Sequence, residues 1–253
     1  MSIFSDLNIR ADLDAVNSSF NRAIPAMIIV DISGSTEPFS ADIKKSLLSL
    51  VKKLKEDSLH SSNVMLSLMA FNSSHYLIQD MKRLSEIDEG ELNKKLEDLK
   101  FKGRTHTGSA LQAAFEELDT SIKAHRREGR RFYRPLMFLI TDGNPNYTSF
   151  SDHKKEDEKL EKSYEDILAF QKKGFFYVVS VGNDVSRDIL DKLAGSGVPL
   201  VIGDDPKDIA DLFQAVTDTI DSGAGNIDSL DDESLNRQYT DLKNKTSKYE
   251  EDV

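Results

Sequence analysis

Two apolar runs in this sequence end on an aspartate. Ala26 to Val30 leads into Asp31, and Leu136 to Ile140 leads into Thr141-Asp142-Gly143. Buried strand ends rarely carry carboxylates without reason, because an unpaired buried charge is expensive. Two that converge need a cation or good hydrogen-bond donors. The residues after Asp31 add small oxygen donors. In Asp31-Ile32-Ser33-Gly34-Ser35 alternate positions carry a carboxylate and two hydroxyls, and Gly34 allows the tight turn that faces all three to one point. Such hard, closely spaced oxygens suit Mg²⁺ or Mn²⁺, with Ca²⁺ as a further candidate. Zinc is disfavoured, since the five histidines are scattered without metal-ligand spacing. A third segment, Gly103-Arg104-Thr105-His106-Thr107-Gly108-Ser109, offers more hydroxyls between glycines. Alone, a Ser/Thr-rich stretch before a helix is an ordinary cap.

The elements that must position these residues follow from hydrophobic spacing. Ala26–Val30 lacks alternation, as expected of a strand covered on both faces of a parallel sheet. Ile43, Leu47, Leu50, Val51 and Leu54 share one face of a helix. Val64–Phe71 and His75–Met81 read as strands joined by an Asn-Ser-Ser turn, hence an antiparallel hairpin. Leu92, Leu96 and Leu99 mark a helix, and Leu111, Ala114, Phe115, Leu118 and Ile122 another. After the strand Leu136–Ile140 comes a helix with Tyr164, Ile167, Leu168 and Gln171 on one side. A strand Phe175–Val181, a short helix with Ile189 and Leu193, a strand Pro199–Ile202 and a helix with Ile209, Leu212, Phe213, Val216 and Ile220 complete the series.

Alternation of strands and helices predicts an α/β fold: a doubly wound, mostly parallel, Rossmann-like sheet of six strands with one antiparallel member. In such sheets ligands bind beyond the carboxyl ends of the strands, where strand order reverses. The expected organisation is an arm over residues 1–22, a domain over 23–222 and an acidic polar tail over 223–253, either flexible or helical.

Composition narrows the partners. The 253 residues carry a formal net charge of -11, which argues against nucleic acid or an anionic membrane. Cysteine is absent, so disulfides, thiolate zinc sites and cysteine nucleophiles are excluded, and a reducing compartment is compatible. The first residues lack the pattern of a secretory signal, and no apolar run approaches the roughly 20 residues of a membrane span. The expectation is a cytoplasmic protein. One basic island, His125 to Arg134, interleaves arginines with Phe132 and Tyr133. Such stretches can bind nucleic acid, but the end of a helix also collects cations through its macrodipole.

Together the three segments resemble the metal-ion-dependent adhesion site of von Willebrand factor type A domains: Asp31-x-Ser33-x-Ser35, Thr105 in a Gly-x-Thr-x-Thr-Gly loop, and Thr141-Asp142-Gly143, in that order. The resemblance covers about residues 24–222. It implies a metal site of Asp31, Ser33, Ser35, Thr105 and Asp142. Ser33 and Ser35 would bind directly, Thr105 directly or through water, and the aspartates largely through water. One coordination position would remain for a carboxylate, Asp or Glu, of a protein partner, and the antiparallel strand would lie at the sheet edge. Arg104, His106, Asn144 and Tyr147 would form the rim that meets the partner. Within the family the chain looks nearest to intracellular bacterial proteins of tellurium-resistance-type clusters, which suggests a bacterial or phage stress, defence or assembly complex.

No catalytic residue is expected. The alternative is a phosphatase of the haloacid dehalogenase type, which needs a second aspartate where Ser33 stands. An accessory subunit of an ATPase or kinase machine would use the same metal site with a different partner.

Overall fold

The computed structural model describes residues 22–56, 62–147, 150–181 and 186–202, together with Thr217 and Ile220. The unbroken apolar runs are central strands. β1 (Arg22–Asp31) is buried from Ala23 onward, and β2 (Val64–Phe71) is buried throughout. β3 (His75–Arg83) is exposed at its start and pairs antiparallel with β2. β4 is the two-residue strand Arg131–Phe132. β5 (Leu136–Thr141), β6 (Phe175–Val181) and β7 (Leu200–Ile202) complete the sheet.

The strand order is β3-β2-β1-β5-β6-β7, with β4 paired to the start of β1. All pairings except β2–β3 are parallel. The sheet is therefore α/β, doubly wound and mostly parallel, with its antiparallel strand at the edge. It has seven strands rather than the expected six. The extra one, β4, lies within the basic island, where Arg131 and Phe132 give no apolar signal. Strand order reverses between β1 and β5, whose register brings Val30 beside Ile140. Asp31 and Thr141-Asp142 therefore emerge side by side at the switch point.

Helices cover both faces. α1 (Ser40–Glu56) buries Ile43, Leu47, Leu50, Val51 and Leu54, the face its spacing predicts. Its partners include Ile24, Ile28, Leu66 and Phe138, and α2 (Glu89–Asp98) adds Leu92 and Leu96. On the other face α3 (Thr107–Arg127), α4 (Phe150–Gln171) and α5 (Arg187–Ala194) pack on Met27, Ile29, Met137 and Leu139. Successive β1 residues thus serve opposite cores.

The expected face of α4 is rotated. Leu168 is 49% exposed, while Leu160, Ser163, Ile167 and Phe170 are buried. The reason is a close crossing with α3. A Cβ on Gly108 would lie 2.5 Å from the Leu160 backbone nitrogen and 2.9 Å from the Glu156 carbonyl oxygen. Ser163 faces this contact and donates to the Lys159 carbonyl at 2.8 Å. An approach built on glycine and serine leaves no apolar stripe to read. In α5 the buried residues are Leu190, Leu193 and Ala194, with Ile189 partly covered.

Thr217 and Ile220 are helical and buried, in keeping with a last helix. The rest of that helix, the arm before Arg22 and the tail over 223–253 lie outside the described residues. Among the described residues no helix is long and apolar enough to cross a membrane.

The α3–α4 crossing is a point of high sensitivity. Gly108→Ala forces backbone against backbone and is expected to destabilise the protein by about 1–3 kcal/mol. Thermal unfolding followed by circular dichroism checks this; a melting temperature equal to wild type would show that the helices separate freely.

Candidate metal centre

The centre is assembled at the carboxyl ends of β1 and β5. Asp31 ends β1 and is 1% exposed. Its Oδ1 accepts from the Ser33 backbone N–H at 2.8 Å, and its Oδ2 accepts from Thr141 Oγ1 at 2.7 Å. The first bond folds the chain back after β1, and the second ties β1 to β5. Thr36 Oγ1 donates to the Ser33 carbonyl at 2.9 Å and closes the turn. Ser33 and Ser35 consequently meet, Oγ to Oγ at 3.0 Å, and Ser35 Oγ donates to Asp142 Oδ1 at 3.0 Å.

The Thr105 loop comes from across the sheet. Gly34 N–H donates to the Gly103 carbonyl at 3.1 Å, and Lys102 N–H donates to the Ile32 carbonyl at 3.0 Å. Gly103 has φ +91°, a left-handed conformation that glycine adopts without strain. The turn between β2 and β3 holds the loop from the other side. Asn72 Nδ2 donates to the Lys102 carbonyl at 2.8 Å, and the Asn72 carbonyl accepts from His106 N–H at 3.1 Å. Arg104 N–H donates to Ser73 Oγ at 2.9 Å. Beyond β5, Asn146 N–H donates to the Thr105 carbonyl at 3.1 Å.

All five expected metal residues are thus in one cluster. Gly143 lies between the hydroxyls: a Cβ there would be 3.5 Å from Ser35 Oγ and 3.9 Å from Thr105 Oγ1. Thr105 is fully buried, and its Oγ1 has no hydrogen-bond partner among the described residues. An orphaned buried hydroxyl is costly, and native structures usually explain one by an ion or a water. Burial pushes the Asp31 carboxyl up to about 7, against the lowering effect of the hydrogen bonds from Thr141 and Ser33. No lysine or arginine among the described residues pairs with Asp31. Two carboxylates, three hydroxyls and an unmet acceptor fit a hard divalent cation. Ser33, Ser35 and Thr105 would hold it with Asp31 and Asp142, and it would supply positive charge beside the buried Asp31 carboxyl.

The rim residues have different roles. Arg104 is exposed. His106 is half-buried, and its Nε2 has no partner among the described residues. Tyr147 is 9% exposed, edge-on to His106 at 5.6 Å and to His153 at 4.7 Å between ring centroids. It therefore supports the surface from below more than it forms it. Asn144 Oδ1 accepts from Ser186 N–H at 2.7 Å and joins the loop after Asp142 to the start of α5.

Two supports were not apparent from sequence. Asn72 is visible there only as a turn residue. Glu156, on α4, is 5% exposed and caps α3 from a distance. It accepts from Ser109 N–H at 3.2 Å and Ser109 Oγ, and Lys159 Nζ donates to it at 2.7 Å. Burial alone would raise this carboxyl, but the bonds from Lys159 and Ser109 outweigh it and hold Glu156 below its ordinary value. A carboxylate at the first turn of a helix also complements the macrodipole. Since α3 begins two residues after Thr105, this cap fixes where the Thr105 loop ends.

A model of the von Willebrand factor type A domain matches residues 27–215. No curated protein sequence matches significantly. Among solved structures, the PilB minor pilin from Streptococcus sanguinis aligns at 15% identity and TM-score 0.55, over 78% of this chain and 61% of the pilin. A von Willebrand factor type A protein from Catenulispora acidiphila aligns at 16% and 0.56, over 79% of this chain and 43% of its own length. The vWF domain of the type V pili tip protein Mfa5 from Porphyromonas gingivalis aligns at 12% and 0.58, over 80% and 96%. The chain thus spans about three-fifths of the pilin. At these identities the likeness is one of fold.

Glu156 gives the cap an acid limit. Its folded value lies below the unfolded one, so its contribution is present above about pH 4.5 and is lost as pH falls through the folded value. Glu156→Gln is expected to cost on the order of 1–2 kcal/mol at pH 7, the partner Lys159 being partly exposed. Urea unfolding of both proteins should converge as pH falls through the folded value. A gap that does not narrow as the solution is acidified would assign the effect to shape and not to charge.

Proposed function

The chain belongs to the von Willebrand factor type A family, and from that premise we propose that it grips a protein partner through a Mg²⁺ or Mn²⁺ ion held by Asp31, Ser33, Ser35, Thr105 and Asp142. Domains of this family often mediate protein–protein interaction. The observation that carries the metal reading is Thr105 Oγ1, buried and without a hydrogen-bond partner among the described residues, close to Ser35. An ion bound there would supply an open coordination position for the partner's aspartate or glutamate.

The chain's own residues do the rest. Ser33 N–H and Thr141 Oγ1 orient the Asp31 carboxylate, and Ser35 links the Ser33 hydroxyl to Asp142. Arg104 and His106 flank Thr105 and would give an incoming carboxylate donors beside the metal. Asn144 would contribute through the loop it holds.

We read the site as binding and not catalytic. Ser33 stands where a phosphatase of this strand-end type would need a second carboxylate, and its N–H is used in orienting Asp31. We place the partner in an intracellular assembly, for which the cysteine-free composition is the support.

The test begins with the metal. At about a hundredfold excess over Kd, Mg²⁺ is expected to stabilise the protein by about 2.7 kcal/mol, reversed by EDTA. Ser33→Ala and Asp142→Ala should remove that gain. A melting curve indifferent to Mg²⁺, Mn²⁺ and EDTA would overturn the metal reading. A partner captured equally well in EDTA would overturn the metal bridge while leaving metal binding intact.

A further inference from the structure

The loop that carries Thr105 brings two cations with it. Lys102 and Arg104 are exposed, and among the described residues neither is paired with a carboxylate. Their backbones are anchored on both sides. Lys102 N–H donates to the Ile32 carbonyl at 3.0 Å, and the Lys102 carbonyl accepts from Asn72 Nδ2 at 2.8 Å. Arg104 N–H donates to Ser73 Oγ at 2.9 Å. Both side chains therefore start from fixed points beside the metal centre. Arg104 adjoins Thr105, and Lys102 is three residues away, at most about 11 Å along the chain.

The surrounding surface does not offset these charges. About one residue in six of the chain is acidic, yet residues 72–79 and 99–115 contain no acid. Those stretches form the turn after β2, the start of β3, the Thr105 loop and the first half of α3. The acids that flank them are engaged elsewhere or stand apart. Asp80 pairs with Lys82 at 3.5 Å. Asp98, and Glu37 two residues beyond Ser35, are exposed, and among the described residues neither pairs with Lys102 or Arg104. In a chain of net charge -11, this side of the metal centre is locally basic.

One carboxylate cannot use both cations. A group bound at the metal beside Thr105 can also meet Arg104, but Lys102 lies beyond Gly103. In an extended segment residues i and i+2 lie on one side, about 7 Å apart. Carboxylates at that spacing, starting from the metal, come within reach of the long arginine and lysine side chains in turn. We infer that the partner's metal-bound acid belongs to an extended acidic segment whose further carboxylates, at alternate positions, meet Arg104 and Lys102. The inference rests on the metal-bound carboxylate proposed above and adds the kind of partner: a run of alternating acids. Exposed pairs of this type are weak singly, about threefold in affinity each, and are screened by salt. Their effect is to choose among partners that all offer one carboxylate.

The test uses full-length protein and two fluorescein-labelled Gly/Ser peptides of equal length, one with a single aspartate and one with aspartates at three alternate positions. Affinities are measured by anisotropy in Mg²⁺ at low ionic strength. Net repulsion by the chain works against the more acidic peptide, so any preference for it must be local. The expected preference for three acids is about tenfold or more. It should fall to about threefold, the factor that number alone gives, in the Lys102→Gln/Arg104→Gln double variant and in high salt. Lys172→Gln/Lys173→Gln, exposed charges at the turn before β6, should leave the preference unchanged. A wild-type preference of threefold or less would overturn the inference while leaving the metal-bound carboxylate standing. So would a preference that survives in the double variant, or one that the Lys172/Lys173 changes reduce equally. If neither peptide binds although Mg²⁺ stabilises the protein, the metal-bound carboxylate itself fails, and the inference with it.

Discussion

Burial of two carboxylates at adjacent strand ends is the constraint on which the site depends. β1 and β5 are neighbours at the switch point, so Asp31 and Asp142 cannot move apart without breaking the sheet. Hydrogen bonds supply part of what their charge needs: Ser33 N–H and Thr141 Oγ1 for Asp31, Ser35 Oγ for Asp142. They do not cancel the burial penalty, since the Asp31 carboxyl is still pushed up to about 7. Neutral donors can orient a buried anion, but a nearby positive charge is what offsets its desolvation. The geometry of the hydroxyls and the raised Asp31 carboxyl both support the proposed cation site.

The Thr105 loop shows how a sheet can build a site from residues remote in sequence. Its backbone is held by Gly34, Ile32 and Asn72 on one side and by Asn146 on the other. Its exit is held by Glu156, which caps α3 from α4. Gly108 lets α4 come close enough for that cap. A loop so anchored presents its hydroxyl at a fixed place, and preorganisation of this kind lowers the ordering cost of binding an ion.

Strand runs and the oxygen-bearing residues that cluster at their ends were legible because both are written in local residue types. Ala26–Asp31 and Leu136–Thr141 show no alternation, and a covered parallel strand leaves that mark. The helix Ser40–Glu56 displays its buried face as a repeat of Ile, Leu and Val. What escaped is made of contacts without a local signature. β4 is two residues of a basic island that pair only because β1 begins early. The face of α4 is set by Gly108 on another helix, so Leu168 turns outward although its spacing favours burial. Asn72 and Glu156 are polar residues whose importance comes from the carbonyls and amides that the fold brings to them. Tyr147 follows the Asp142 loop closely enough to read as surface, yet the rings of His106 and His153 enclose it.

The two ends of the sheet are under opposite physical demands. At the carboxyl end the chain gathers oxygens around a deficit of positive charge, and the surrounding loops are tied by backbone hydrogen bonds. At the amino end Arg126, Arg134 and Lys173 stand with Glu116, Asp119 and Asp166 around a partly buried apolar surface between α3 and α4. Arg134 illustrates the compromise there: its guanidinium lies 4.3 Å from the centroid of the Phe175 ring, and one nitrogen donates to the Gln171 carbonyl at 3.3 Å. Such an arginine contributes apolar coverage through its stem and face as much as charge. Part of the basic island, Arg126 and Phe132 to Arg134, thus borders the groove between α3 and α4. β1 runs from one end to the other, so both ends are built on one strand. Its burial on both faces from Ala23 to Asp31 holds it in one arrangement, which fixes where Asp31 meets the end of β5.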